Sequence, residues 1–430
     1  MLKVLNVEDV VASRLCHGCG ACSYACNSNA ITLHNFVEIG IRPMLDASKC
    51  TSCNECMSVC SGVRLEHDPK NIPSGIQKDL RMEWGPVLEV WEGNAVDEEI
   101  RFKSGSGGVT TALALYALEC EGMHGVLHVG MDPETPYLNK TVMSQTRTEL
   151  TSRTGSRYAP AAVCGELDLI ENAPTACVLI GKPCDIAAAR MAAEIRPKFK
   201  SRLGLTISIF CGGTPSTKGT LEMLRVLGVK PEDAADVRYR GHGWPGMSGA
   251  SVKGALDDGR REMTYKQAWD TILTKHKPFR CHICPDGTGE FADISCGDPW
   301  YRPIKESEPG STLIVVRTEH GRDILRRAIE AGYVVAEPRS SDVLPRSQNG
   351  LLMRRRHVFP KIVSMWLTVL PYPHFRGFSL WRGWLRLGMR RKFVSFYGAL
   401  RHCLGIRRRG PLILDQDELV ASSRNDDRKG

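Results

Sequence analysis

Cys16-His17-Gly18-Cys19-Gly20-Ala21-Cys22-Ser23-Tyr24-Ala25-Cys26 is echoed by Cys50-Thr51-Ser52-Cys53-Asn54-Glu55-Cys56-Met57-Ser58-Val59-Cys60, two copies of Cys-x2-Cys-x2-Cys-x3-Cys. In a cubane iron–sulfur cluster, three thiolates from one tight loop cap three irons and a more distant fourth closes the site, so this is the ligand spacing of 4Fe-4S clusters. Structural zinc sites pair two short Cys-x2-Cys arms across a longer loop and have no use for a third cysteine two residues on. Each loop runs into a short extended stretch, Ala30-Ile31-Thr32-Leu33 and Val63-Arg64-Leu65, as an internal duplication would. The expectation is a small α+β module over residues 1–70 that carries single electrons. The turn-rich run from Asp68 to Gly75 leads into a linker placed at residues 71–84.

The spacing resembles that of a two-cluster bacterial ferredoxin. That resemblance implies that each fourth cysteine serves the other cluster, with Cys16, Cys19, Cys22 and Cys60 on one and Cys50, Cys53, Cys56 and Cys26 on the second. The ferredoxin pattern carries proline after the fourth cysteine, whereas Asn27 and Ser61 stand there in this chain. Proline shapes the loop rather than binding iron, so the change concerns the surroundings of the clusters. His17 reads as a surface loop residue.

With 430 residues, 42% hydrophobic and 24% charged, the chain has the composition of an ordinary soluble protein of about three domains. Residues 1–11 mix Lys3, Glu8 and Asp9 among apolar residues, which is not a secretory leader, and cysteines kept reduced for iron belong in the cytoplasm. The net charge of +9 is concentrated at one end: Val343 to Leu414 holds 15 Lys and Arg and no Asp or Glu.

From Gly85 onward short apolar stretches alternate with helical ones. Strands are expected at Val87–Trp91, Gly125–Val129, Ala176–Ile180, Leu205–Phe210, Ser311–Arg317 and Gly332–Ala336, and helices at Val109–Glu121, Asp185–Glu194, Lys218–Leu227 and Gly321–Ala331. This order predicts a layered α/β domain with a mixed sheet over residues 85–340, preceded by the α+β ferredoxin-like module and followed by a basic, partly helical tail over 341–430.

Ser104-Gly105-Ser106-Gly107-Gly108 opens a predicted helix and could present free N–H groups to a phosphate, or act as a plain serine cap with flexible glycines. Gly181-Lys182-Pro183-Cys184 and Phe210-Cys211 each put a cysteine at the C-terminal end of a strand, the edge where open α/β sheets bind ligands. Cys281-x2-Cys284 and Cys296 bring the set to five thiols for a site that needs four. Cys120, Cys164, Cys177 and Cys403 read as small buried hydrophobes.

Together with Gly155-Ser156-Arg157-Tyr158 and Ala292-Asp293-Ile294-Ser295, these motifs in this order resemble the coenzyme F420 hydrogenase/dehydrogenase beta-subunit family over residues 85–335. The resemblance implies an FAD-dependent iron–sulfur oxidoreductase that exchanges electrons with a two-electron carrier or metabolite such as coenzyme F420. It implies a third 4Fe-4S cluster on Cys184, Cys211, Cys281 and Cys284, with Cys296 in reserve. It places FAD against Ser104, Gly105, Ser106, Gly107, Gly108, Gly155, Ser156, Arg157 and Tyr158. No catalytic acid stands out: Asp298 could orient a ligand or cap a turn, and His242 and Trp244 lie in a glycine-rich loop that could cover the site or stand as a solvated hairpin.

In the tail, Phe378, Trp381, Leu385, Phe393, Phe396, Leu400 and Leu404 recur near helical spacing among arginines. Such a segment suits an anionic membrane surface, contact with the core, or an acidic redox partner protein such as a ferredoxin. Its longest apolar run, Ile362–Leu370, is far short of the ~20 residues that span a bilayer, so any contact with the inner membrane surface is peripheral. Two functional classes stand: an enzyme with its own small substrate, or an electron-transfer subunit serving a partner. A zinc-dependent nucleic-acid binder is disfavoured, because Arg354-Arg355-Arg356 and Arg407-Arg408-Arg409 come with no reading element.

Overall fold

The computed structural model describes residues 4–68, 72–255, 259–304, 308–415, 417 and 419–420. The N-terminal cysteine loops are carried by a hairpin of strands β1 (Ile31–Phe36) and β2 (Gly40–Leu45), and the second loop ends in β3 (Arg64–Glu66). Residues 69–71, where the expected linker begins, lie outside the described residues. The second half of that linker forms a helix, Lys78–Trp84, that buries Leu80 and Trp84.

The middle of the chain builds β4 (Glu89–Ala95), β5 (Val126–Met131), β6 (Asn139–Ser144), β7 (Cys177–Gly181) and β8 (Leu203–Ile209). A small three-stranded sheet follows, made of β9 (Ala234–Arg238), β10 (Met247–Val252) and β11 (Arg261–Thr264), and then come β12 (Ile294–Gly297), β13 (Thr312–Val316) and β14 (Val334–Arg339). Eight of these strands form one mixed sheet in the order β14-β4-β13-β12-β8-β7-β5-β6. Its centre is parallel, β5 with β7, β7 with β8 and β8 with β12, and its flanks are antiparallel.

Side chains alternate across the sheet, so each central strand feeds two cores. On one face Val178, Leu205, Ile207 and Ile294 pack against Leu113 of the Val109–Glu119 helix and Ile324 and Leu325 of the Glu319–Glu330 helix. On the other, Cys177 and Leu179 meet Ile186, Ala188, Ala189 and Ala192 of the Pro183–Ile195 helix. The result is the three-layer arrangement that buries both faces of a sheet with a parallel centre.

The basic tail folds back instead of trailing away. The helices Asn349–Arg356 and Val358–Leu367 precede β15 (His374–Arg376), which pairs in parallel with β3 of the cysteine module. Met365 and Cys403 share a core with Val10 and Leu15 of that module and with Ile283. The predicted long amphipathic helix is broken between Leu385 and Met389, giving the helices Leu380–Leu385 and Met389–Arg409. Phe378 is buried, whereas Trp381, Leu385, Phe393 and Leu404 stay exposed. Among the described residues no helix is long and apolar enough to cross a membrane.

Candidate functional site

Folding sorts the eight N-terminal cysteines into two groups. Burial first, then Cys16, Cys19 and Cys60, and last Cys56 of the second loop, push the Cys22 thiol well above its ordinary value, while burial and then Cys53, Cys26 and Cys50 raise Cys56. Cys60 therefore lies among the first loop's thiols and Cys26 among the second's. The residues that stand where proline is usual have work of their own. Ser61 is fully buried and its Oγ donates to the Cys184 carbonyl at 3.1 Å, while Asn27 donates to Glu55 at 3.1 Å and accepts from Arg196. Proline could make neither side-chain bond.

Cys184, Cys211, Cys281 and Cys284 line one small cavity, although they come from three separate chain segments. Cys184 opens the helix after β7, Cys211 follows β8, and Cys281 and Cys284 flank the end of the short helix Phe279–His282. Asp286 shapes that last segment by accepting from the backbone N–H groups of Thr288, Gly289 and Glu290 at 2.7–3.0 Å. Cys296 is elsewhere: it points into the core beside Ile294 and Ile314 and does not line the cavity. Among the described residues no three His, Cys, Asp or Glu side chains converge as on a single metal ion, and a cubane spreads its thiolates around a body of four irons.

His17 is not the surface residue its loop position suggested. It lines this same cavity, and burial, with Arg280, Lys182 and Arg42 nearby, holds its pKa well below the ordinary value. It therefore stands, neutral, between the first cysteine loop and the four-cysteine cavity. Fully buried Arg280 fastens the two units, donating to the carbonyls of Gly62 at 2.8 Å and Ser61 at 3.1 Å. Cys164, expected only to pack, donates from its thiol to the Asp185 carbonyl at 3.2 Å and from its backbone N–H to the Cys19 carbonyl at 2.8 Å, and Cys120, expected to be buried, is exposed.

A larger cleft opens on the other side of Lys182. Ser104, Ser106, Gly108, Gly155, Ser156 and Arg157 line it, together with Thr110, Thr111, His128, Arg153 and Lys182, which the sequence did not single out as its walls. Gly105, Gly107 and Gly108 all adopt positive φ. At Gly107 a side chain would lie 2.8 Å from the Ser311 backbone, so the loop can pass there only as glycine. Lys182 Nζ is paired with fully buried Asp185 at 2.7 Å and sits within reach of the Cys184 and Cys211 thiols.

Three expected residues take supporting positions. The Arg157 guanidinium is spent on Asn139 Oδ1 and on the carbonyls of Pro136, Leu138 and Val237. Tyr158 packs against Tyr239 and Trp269, outside the cleft wall. Asp298 is held by buried Arg240 at 2.7 and 2.9 Å and by the Trp244 indole N–H at 2.8 Å, and it does not line the cleft. Trp244 is thereby packed down, and Gly241 sits against the Lys103 carbonyl behind the glycine-rich turn, so the loop buttresses that turn while His242 stays exposed. Burial and then Arg153 hold the His128 pKa at about 4, and its Nε2 shares a 2.8 Å hydrogen bond with Ser144 Oγ.

Comparison with known proteins places these features. Residues 15–62 match the 4Fe-4S dicluster domain, residues 90–167 match "Coenzyme F420 hydrogenase/dehydrogenase, beta subunit N-term", and residues 175–342 match its C-terminal counterpart. The chain is 27% identical to a coenzyme F420 hydrogenase subunit beta of Methanococcus voltae over 269 residues, covering 61% of this chain and 89% of the relative. It is 23% identical to one of the subunits of the F(420)H(2) dehydrogenase of Methanosarcina mazei, over 76% of this chain and 86% of that one. In fold it is similar to a chain of the F420-reducing [NiFe] hydrogenase complex from Methanosarcina barkeri, with a TM-score of 0.51 at 20% identity, covering 65% of this chain and 94% of that one. A 4Fe-4S dicluster domain joined to both halves of one family's fold makes this chain a member of the coenzyme F420 hydrogenase/dehydrogenase beta-subunit family.

Proposed function

We propose that the chain is an FAD-dependent iron–sulfur oxidoreductase that exchanges electrons with a two-electron carrier or metabolite, coenzyme F420 or a molecule like it. The observation that carries this reading is the adjacency of the two sites: Lys182 walls the cleft and Cys184, two residues on, walls the four-cysteine cavity. With both kinds of group bound, the cleft supplies two-electron chemistry and the cysteine sites one-electron chemistry.

The donor set of the cleft suits a phosphate-bearing cofactor. Ser104, Ser106, Thr110 and Thr111 offer hydroxyls, the Val109–Glu119 helix begins there with free N–H groups, and Arg153 and Lys182 bring positive charge. The cleft has a volume of about 140 Å³, so a dinucleotide would extend beyond it. Arg157 holds the wall in place through the backbone it binds. His128, neutral at pH 7, can hydrogen-bond a ligand without adding charge. Cys184, Cys211, Cys281 and Cys284 would hold a third 4Fe-4S cluster, and the two groups of N-terminal cysteines the other two. Ser61, Arg280 and His17 keep the first of these against the four-cysteine cavity, the short spacing that single-electron transfer needs.

A second reading, an electron-transfer subunit without a substrate of its own, is favoured by relatives named as hydrogenase and dehydrogenase subunits. Steady-state electron transfer by the isolated chain from an added one-electron reductant, reduced methyl viologen, to an added small acceptor, coenzyme F420, separates the two. Turnover that saturates with the acceptor supports the enzyme, and turnover only on adding a partner protein supports the subunit.

A further inference from the structure

A cavity of about 480 Å³ between the helices Phe279–His282, Val358–Leu367 and Met389–Arg409 has no part in the chemistry above. Phe279, Val394 and Ala399 give it an apolar wall, and His282, His357, His402, Lys361 and Arg391, with the Ser395 hydroxyl, give it a polar and largely basic one. Several buried cations of this chain pair with a carboxylate: Arg355 with Glu290, Arg356 with Glu83, Arg240 with Asp298, Lys182 with Asp185. Among the described residues the Lys361 ammonium has no carboxylate partner and donates to the His282 carbonyl at 2.7 Å, while Arg391, exposed at the rim, reaches the Met353 sulfur at 3.9 Å. Burial and then Arg354 hold Lys361 down to about 8, the direction that uncompensated positive charge imposes. Gly398 lines the cavity, and a Cβ added there would meet nothing within 4 Å.

A lysine ammonium and imidazole N–H groups set against an apolar wall fit a ligand with an accepting, anionic head and an apolar body. The mouth points the same way. Val394 is 66% exposed there, and along the outer side of the same helix Met389, Phe393, Tyr397 and Leu404 leave an apolar stripe in solvent. We propose that this cavity binds the anionic head of an amphiphile, a phosphate or carboxylate on an apolar body, with Lys361 and Arg391 as its charge partners. The source is a membrane lipid or a soluble organic anion of the same chemistry. The site stands independently of the redox reading.

The test uses the full chain, purified without oxygen, with monomeric short-chain phosphatidylglycerol and with phosphatidylcholine vesicles containing phosphatidylglycerol. Calorimetry is expected to give saturable binding of the monomer, weakened about tenfold or more by Lys361→Gln with Arg391→Gln, and weakened likewise by Gly398→Leu, which fills the space. Vesicle sedimentation that falls in the same variants assigns the site to a lipid head, and sedimentation that does not fall assigns it to a soluble amphiphile. Absence of saturable monomer binding, or equal affinity in folded variants of both kinds, overturns the proposal. Thermal melting and iron content establish that the variants are folded, so a failure here is distinguishable from a failure of the redox reading.

Discussion

Replacing Glu290 with glutamine tests how the three parts of the molecule are locked together. Glu290 lies in the α/β domain, is buried, and accepts from Arg355 of the tail and from His67 Nε2 of the cysteine module at 2.7 Å. The Arg355 guanidinium also donates to the carbonyls of Pro285 and Phe378, and His67 stacks on Phe291 with ring centroids 4.6 Å apart. Burial alone would raise the Glu290 pKa, but Arg355 and then His67 outweigh it and bring it from 4.5 to about 2. At about 1.4 kcal/mol per tenfold change, that difference is about 3 kcal/mol of stability. Because the folded pKa is depressed, the contribution is fully present above pH 4.5 and is lost as the pH falls toward 2. Glu290→Gln leaves the Arg355 charge buried without its counter-charge, so a loss of about 3–5 kcal/mol is expected at pH 7. Urea denaturation followed by far-UV dichroism gives the gap between wild type and variant, and proteolysis reports release of the tail. The gap should be constant above pH 4.5 and close below it, since the variant has no carboxylate to titrate. A gap within about 0.5 kcal/mol at pH 7, the ordinary range for surface changes, or one that does not narrow in acid, would refute the reasoning.

Other consequences are separable. Cys281→Ser should lower the iron content by about one four-iron cluster while Cys296→Ser leaves it unchanged, by iron assay on folded protein. Gly107→Ala forces a side chain toward the Ser311 backbone at a φ of +80°; flavin bound per chain should drop, with stability reduced by about 1–3 kcal/mol. Asp293 accepts from Thr206 N and Oγ1, Arg190 and Thr318 Oγ1 at 2.7–3.0 Å. Asp293→Ala should therefore cost about 3–5 kcal/mol in urea denaturation, without changing iron per folded chain.

The cysteine spacing was legible because cluster ligation is a local constraint on loop geometry, and the central strands were legible because burial on both faces makes them continuously apolar. The edge strand β6 was missed since Asn139-Lys140-Thr141-Val142-Met143-Ser144 carries mixed polarity on a half-solvated edge. The strands β9, β10 and β11 are short, and Gly-rich chain between them hid their pairing. Long-range choices were not readable at all. Nothing local to His17 announces a cavity built from segments near 184, 211 and 281, and nothing local to Arg157 says that its charge meets carbonyls instead of a ligand. Cys296 matches Cys184 in residue type, but strand alternation turns it into the core. The tail's alternation of arginine and aromatic residues suggested one surface helix. Leu387 and Gly388 fall where that helix is instead broken, and β15, just ahead of it, pairs with β3 of the cysteine module.

The most direct test of the account is the metal and flavin content of the chain purified without oxygen, read with its visible spectrum. Three clusters of four predict about twelve irons per chain, with one FAD. About eight irons would contradict the third cluster at Cys184, Cys211, Cys281 and Cys284, absence of FAD would contradict the assignment of the cleft, and zinc in place of iron would contradict the redox function altogether.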